Sequence, residues 1–307
     1  METTRFLLII SLGLVLTMIW QAWVKDYGHL DAQNKIKTTT ETTEENEIIV
    51  QETSAPTLSI EDRSTPTTTN NDETTLAEKI KVTTDVFDLM INPRGGTIEY
   101  AALKKYPISK KNPDKKIVLL KRKEKDNFYL IQGGVLSKNG TITPDTIFSF
   151  DRKNYFLGGN KSISVPLYYV SEEGIKTTKT ITFYKGQYVA DIEYKIENQS
   201  QGPWAGRAYG EISRTKQKER ESRFIYTYTG AVVSTPEERY EKIDFDDIEE
   251  GDLKINAVNG WVAMLQHYFL TALIPGEKDE NYTYYTRNTN NGGYIAGAAT
   301  PTKEIVG

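Results

Sequence analysis

The chain contains no cysteine. Disulfides, thiolate nucleophiles and cysteine metal sites are therefore excluded. Histidine is nearly absent as well, present only as His29 and His267. An imidazole-built metal site needs further ligands at short spacings, and none accompanies either histidine. His29 lies in polar sequence and reads as solvated. His267 lies inside an apolar run and reads as a structural side chain. No phosphate-binding loop, G-x-G-x-x-G or G-x-S-x-G pattern occurs. Basic residues are not in excess: 38 Lys and Arg face 42 Asp and Glu, for a formal charge of −4. A nucleic-acid-binding chain shows a clustered basic surplus, so no nucleic-acid partner is expected, and no cofactor or metal either. There is no repeat of fixed period.

One long apolar run is present. Phe6 to Trp23 reads FLLIISLGLVLTMIWQAW and carries no Asp, Glu, Lys or Arg. A bilayer core takes about 20 helical residues. Phe6, Leu7, Leu8 and Ile9 would enter the hydrocarbon, and Trp20 and Trp23 would sit at the far interface, where indoles prefer the headgroup level. A cleavable signal peptide wants small residues near its end, and here bulky indoles occupy that place. The expectation is an uncleaved single-pass anchor over residues 1–26. A cleaved signal or a buried soluble helix are the alternatives. Arg5 before the run is balanced by Lys25 after it, and the free amino group and the short N-terminal tail favour a cytoplasmic N-terminus.

Residues 27–79 are rich in Thr, Glu and Asn, as in KTTTETTEENE and RSTPTTTNNDETT. Such a segment buries too little apolar area to offset the entropy of ordering. It is expected to be a disordered linker.

From Ile80 the pattern turns to strands. Tyr188 to Glu197 alternates apolar and polar with period two, KTTKTITFY before it does the same, and Lys185-Gly186-Gln187 joins them as a hairpin. Gly260 to Gly276 is apolar but interrupted by Gln266 and His267, and reads as a buried strand pair. Ser234-Thr235-Pro236-Glu237-Glu238 carries a capping box and predicts the start of a short helix. Many short strands separated by turn residues predict a mainly β fold, one large β-sandwich over residues 80–307.

Chemistry-bearing constellations are few. Asp191 and Glu193 share a strand face but read as solvated acids, not as a glycosidase pair. Tyr168, Tyr169, Trp204, Tyr209, Tyr226 and Tyr228 could stack sugar rings, though cross-strand packing is the ordinary use of such residues.

Four stretches taken together resemble one family: the apolar run above, VTTDVFDLMINPRGGTIEYAALKKYP, STPEERYEKIDFDDI and GWVAMLQHYFLTALIP. Their order and spacing are similar to those of the YidC-type membrane protein insertases of Gram-negative bacteria. The resemblance implies an uncleaved anchor in the inner membrane with its N-terminus in the cytoplasm. It implies a periplasmic β-supersandwich domain of galactose-mutarotase-like type. It also implies a non-enzymatic insertase and chaperone function, with the lipid bilayer, nascent inner-membrane proteins, and the Sec translocon with its SecD and SecF subunits as partners. The five further membrane helices that carry insertase activity in that family are expected to lie beyond this sequence. The contact to the Sec subunits would fall near Tyr240, Asp244, Asp246 and Asp247. The alternative is a membrane-tethered carbohydrate- or peptide-binding sandwich.

Overall fold

A computed structural model describes residues 13–21, 79–124, 127–138, 140–216, 228–266, 268–289 and 292–305. The chain divides into two compact units, Met1–Ala55 and Pro56–Gly307. In the first, residues 13–21 form helix α1. Its Leu14, Leu16, Met18, Ile19 and Trp20 side chains are all exposed. The Thr17 hydroxyl donates to the Leu14 carbonyl at 2.8 Å, within the helix. Among the described residues no helix is long and apolar enough to cross a membrane. Phe6, Leu7, Leu8, Ile9 and Trp23 lie outside the described residues, as does the linker up to residue 78.

The second unit is mainly β. Its described strands form three sheets. The eleven-stranded sheet runs in the order β14 (Lys254–Val258), β17 (Asn281–Asn288), β18 (Gly293–Ala299), β11 (Trp204–Thr215), β5 (Asn127–Ser137), β4 (Asn112–Glu124), β3 (Thr97–Ser109), β2 (Phe87–Asn92), β1 (Ile80–Thr83) and β7 (Asn154–Phe156). Its eleventh strand, β19 (Lys303–Ile305), pairs with the start of β11. The second sheet runs β10 (Ala190–Asn198), β9 (Ile175–Tyr184), β8 (Ser162–Val170) and β6 (Ser149–Phe150). The third runs β13 (Glu241–Ile243), β12 (Thr229–Ser234), β15 (Trp261–Gln266) and β16 (Phe269–Leu273). Neighbours are antiparallel except β1 and β7.

Both small sheets cover the same face of the large one. That face carries Tyr129, Ile131, Gly133 and Val135 of β5, and Ala208, Gly210, Ile212 and Arg214 opposite them on β11. Period-two alternation puts these side chains together. The Tyr129 hydroxyl donates to the Met264 carbonyl of β15 at 3.1 Å, and Arg214 donates to Leu265 at 3.0 Å. The second sheet is tied on by Lys179 of β9. Its ammonium donates to the carbonyls of Gly95 and Gly96 at 2.9 and 3.0 Å, in the turn between β2 and β3. Both glycines have positive φ, 71° and 57°, which lets the turn present two successive carbonyls to one cation. One continuous core of Ile, Val, Leu, Tyr and Phe results from all three sheets.

The β9–β10 hairpin and the strand pair within Gly260–Gly276 appear where the sequence predicts them. The predicted helix after Ser234 does not form. Thr235 does make the turn, its hydroxyl accepting from the Glu238 amide at 3.0 Å. Residues 236–239 then bend instead of winding, because β13 must return to pair with β12, Val233 opposite Glu241. Strand pairing overrides the local helix signal. The helix lies one step later: α2 (Phe245–Glu250), in the acidic stretch. Its N-cap is Asp244, and the Asp247 carboxylate accepts from the Asp244 amide at 2.9 Å. Acids in the first turn suit the positive end of the helix dipole. Phe245 and Ile248, three apart, bury one face, with the Phe245 ring 4.4 Å from that of Tyr294.

Candidate functional site

A groove of about 570 Å³ opens between the two small sheets. Its floor is the shared face of β5, β11 and β18. Along β11 every second residue from Trp204 points into it: Gly206, Ala208 and Gly210, with Gly133 of β5 and Ala298 of β18 beside them. These small residues leave the space that larger ones would fill. The Trp204 ring covers Gly206, where a Cβ would come within 2.5 Å of it.

One wall is β10, which offers Ala190, Ile192, Tyr194 and Ile196. The other is the end of β16 and the turn after it, Ala272, Leu273, Ile274 and Pro275. Tyr194 reaches down to Gly133, and Leu273 packs onto Gly210, at 3.4 and 3.5 Å from where each glycine's Cβ would stand. Gly133 and Gly210 are partners in register, so the walls rest on neighbouring strands. The two wall strands start from an aromatic bridge. Tyr106 of β3 meets Tyr188, just before β10, with ring centroids at 5.8 Å, and Phe269 of β16 at 5.6 Å.

The groove holds little polar chemistry. Lys179 lies behind Tyr194, its ammonium 5.4 Å from the ring centroid, and burial lowers its pKa from the usual lysine value to about 7. The rim is acidic. Asp191 accepts from the Tyr184 hydroxyl, which raises the tyrosine's pKa, and Glu193 is exposed beside it. Lys303 bridges Glu277 and Glu280, and its hydrogen bond lowers the Glu277 pKa.

Among the described residues, the aromatic side chains singled out for sugar stacking do not converge. Trp204 floors the groove, Tyr209 lies on the opposite face of the large sheet, and Tyr168 and Tyr169 belong to β8. Tyr226 and His267 lie outside the described residues. Among the described residues no group of three or more His, Asp or Glu could hold a metal ion.

The opposite face of the large sheet carries a buried polar row invisible to the sequence patterns. Gln132, Glu211, Gly297 and Tyr285 stand in register on β5, β11, β18 and β17. The Glu211 carboxylate is fully buried and accepts from Gln132, Tyr285 and Arg287 at 3.0, 2.9 and 3.0 Å. Tyr285 reaches it by passing over Gly297, where a Cβ would lie 2.3 Å from the ring. The row's central carboxylate is taken up by these three donors and has no exposed surface.

The acidic residues proposed as a partner contact do come together. Tyr240 is half exposed, and Asp244, Asp246 and Asp247 are exposed at the start of α2. Much of this charge is used locally. Asp247 caps the helix, Asp246 pairs with Lys216 at 2.7 Å, and Glu249 accepts from Tyr294.

Comparison with known proteins matches residues 79–306 to the family described as the YidC periplasmic domain. The chain belongs to this family. Relatives named membrane protein insertase YidC include those of Nitrosococcus oceani, 35% identical over 99% of this chain and 55% of the relative, and Shewanella piezotolerans, 33% over 92% and 51%. A third, from Thioalkalivibrio sulfidiphilus, is 33% identical over 94% and 52%. The chain thus spans about half the length of the curated relatives it matches. Among solved structures it is similar to a galactose mutarotase related enzyme from Lactobacillus acidophilus, at a TM-score of 0.39 and 8% identity over 74% of this chain and 97% of that one. A galactose mutarotase-like protein from Lactobacillus casei has a TM-score of 0.42 at 9% identity, with the same coverage. These likenesses are too distant to carry a functional argument. The family's own domain is the β-rich unit described above, and the groove lies within it.

Proposed function

We propose that this chain is the anchor and periplasmic portion of a membrane protein insertase and chaperone, serving the insertion, folding and assembly of inner-membrane proteins. The observation that carries this reading is the match of residues 79–306 to the YidC periplasmic domain, behind the apolar run Phe6–Trp23. In this reading the run spans the inner membrane with the N-terminus in the cytoplasm, and the β unit stands in the periplasm. The role is non-enzymatic: the domain positions partners, and the bilayer path for clients is supplied by the remainder of the full-length protein. Expression of residues 1–307 in a strain depleted of its insertase tests this. Growth is expected to stay arrested, and rescue would overturn the division of labour.

The partner surface proposed for the Sec translocon and its SecD and SecF subunits is the acidic edge at Tyr240 and α2. Exposure of Tyr240 and of the acids around it supports that placement. A photo-crosslinking amino acid at position 240 in the full-length protein is expected to capture a Sec accessory subunit, whereas one at Phe156, exposed on β7, is not. Equal capture from both positions would remove α2 from the contact.

A further inference from the structure

The groove is bounded by two sheet edges. β10 ends its sheet, and β16 ends the third. The groove lies on the outer side of both: β9 contributes only Lys179 to its lining, and β15 contributes nothing. Among the described residues, neither strand has a ladder partner on that side. Backbone amides and carbonyls on such an edge are a template for a further strand. The side chains agree. Ile192 of β10 is 38% exposed, although it stands on the apolar side of its strand and opposite the fully buried Ile181.

We propose that the groove receives an extended polypeptide segment, which adds to the free edge of β10 as a fifth strand of the second sheet. Its alternate side chains are small or β-branched and apolar, and at least one flanking residue is basic. This deepens the proposed function and rests on it in choosing a polypeptide as the occupant. The groove-lining part of β10, Ala190 to Ile196, is about 20 Å long at a strand's rise, which suits six or seven residues. Main-chain pairing supplies affinity in this mode, and pockets for every second side chain supply preference. The floor of Gly133, Ala208, Gly210 and Ala298 gives those side chains room. Asp191 and Glu193 on β10, with Glu277 across the groove and Glu280 beside it on Lys303, favour a cationic flank. Lys303 is shared between the last two, and Lys195 is taken up by Glu197 at 2.9 Å. β10 is the better template because it is nine residues long, whereas β16 has five and runs into Pro275, which has no amide hydrogen.

The test uses the full chain in lipid nanodiscs and a capped, fluorescent heptapeptide alternating valine and threonine between terminal lysines. Two derivatives carry N-methyl groups, one on its valines and one on its threonines, because alternate amides in a strand point to opposite sides. A fourth peptide ends in glutamates. Saturable binding by anisotropy is expected, with at least a tenfold loss for one of the methylated peptides and for the glutamate peptide. The difference between the lysine and glutamate peptides is expected to shrink with salt. Amide exchange in β10 should slow on binding. Ile192→Asp and Gly210→Val are each expected to lose binding. The first change is on a partly exposed side chain, and the second adds bulk where a Cβ meets only Leu273 at ordinary contact distance. Circular dichroism melts check that both remain folded, and exchange in the unmodified chain stands independently of them. Equal binding of all four peptides, unchanged β10 exchange, displacement by galactose, or dimerisation of the chain through β10 would each overturn the inference. Such a failure leaves the insertase reading standing, since depletion rescue tests that separately.

Discussion

The Arg287 guanidinium reaches the fully buried Glu211 carboxylate at 3.0 Å. The pair crosses β18 at the one position in that row that lacks a side chain, Gly297. Removing the carboxylate leaves Arg287, only 17% exposed, without its buried counterion. Glu211→Ala is expected to cost about 3 kcal/mol, the lower end for breaking a buried pair. Gly297→Ala is expected to cost about 2 kcal/mol by forcing Tyr285 off its bond to Glu211. Urea unfolding midpoints check both. A loss under 1 kcal/mol in Glu211→Ala would mean that the row contributes little.

Lys179 links stability to pH. Its folded pKa, about 7, lies below the usual 10.5 because burial penalises the charged form. Between those values the unfolded chain holds a proton that the folded chain has released. Stability attributable to this group therefore rises with pH from about 7 to about 10.5, by at most about 1.4 kcal/mol per pH unit. Below pH 7 both states are protonated, and the burial cost applies in full. Lys179→Met is expected to flatten the slope between pH 7.5 and 9.5 in paired urea titrations. An unchanged slope would show that the ammonium reaches water in the folded state.

Asp247 tests how α2 is held. Its carboxylate serves the Asp244 amide, which is otherwise an orphan donor at the helix start. Asp247→Ala is expected to cost about 1 kcal/mol and to increase hydrogen exchange within α2. The core beneath should keep its protection, since Phe245 and Ile248 remain buried. Exchange that rises equally in β12 and β15 would show that α2 and the third sheet open together.

The proposed topology has its own readout. Protease added to spheroplasts is expected to degrade the chain beyond about Tyr27, leaving a short N-terminal fragment of a few kilodaltons. Full protection until the membrane is dissolved would reverse the orientation.

Much of the fold was legible along the chain. Period-two alternation marked β9 and β10, and the interrupted apolar block marked the β15–β16 pair, because burial on one face of a strand leaves its trace residue by residue. The helix after Ser234 was misplaced for the converse reason: a capping signal is local, and the β12–β13 pairing that defeats it is not. The groove floor had a readable trace in the alternation of Gly206, Ala208 and Gly210, which a search for reactive side chains passes over.

By itself, then, the sequence determined composition and local periodicity. It excluded thiol chemistry, singled out one apolar run, and predicted a β-rich unit through the spacing of its side chains. Only the tertiary structure decided which strand edges stay open, which glycines make room for a ring from two strands away, and where Lys179 and Glu211 find their partners. Those features depend on register between strands far apart in the chain, and register is set by packing of three sheets at once.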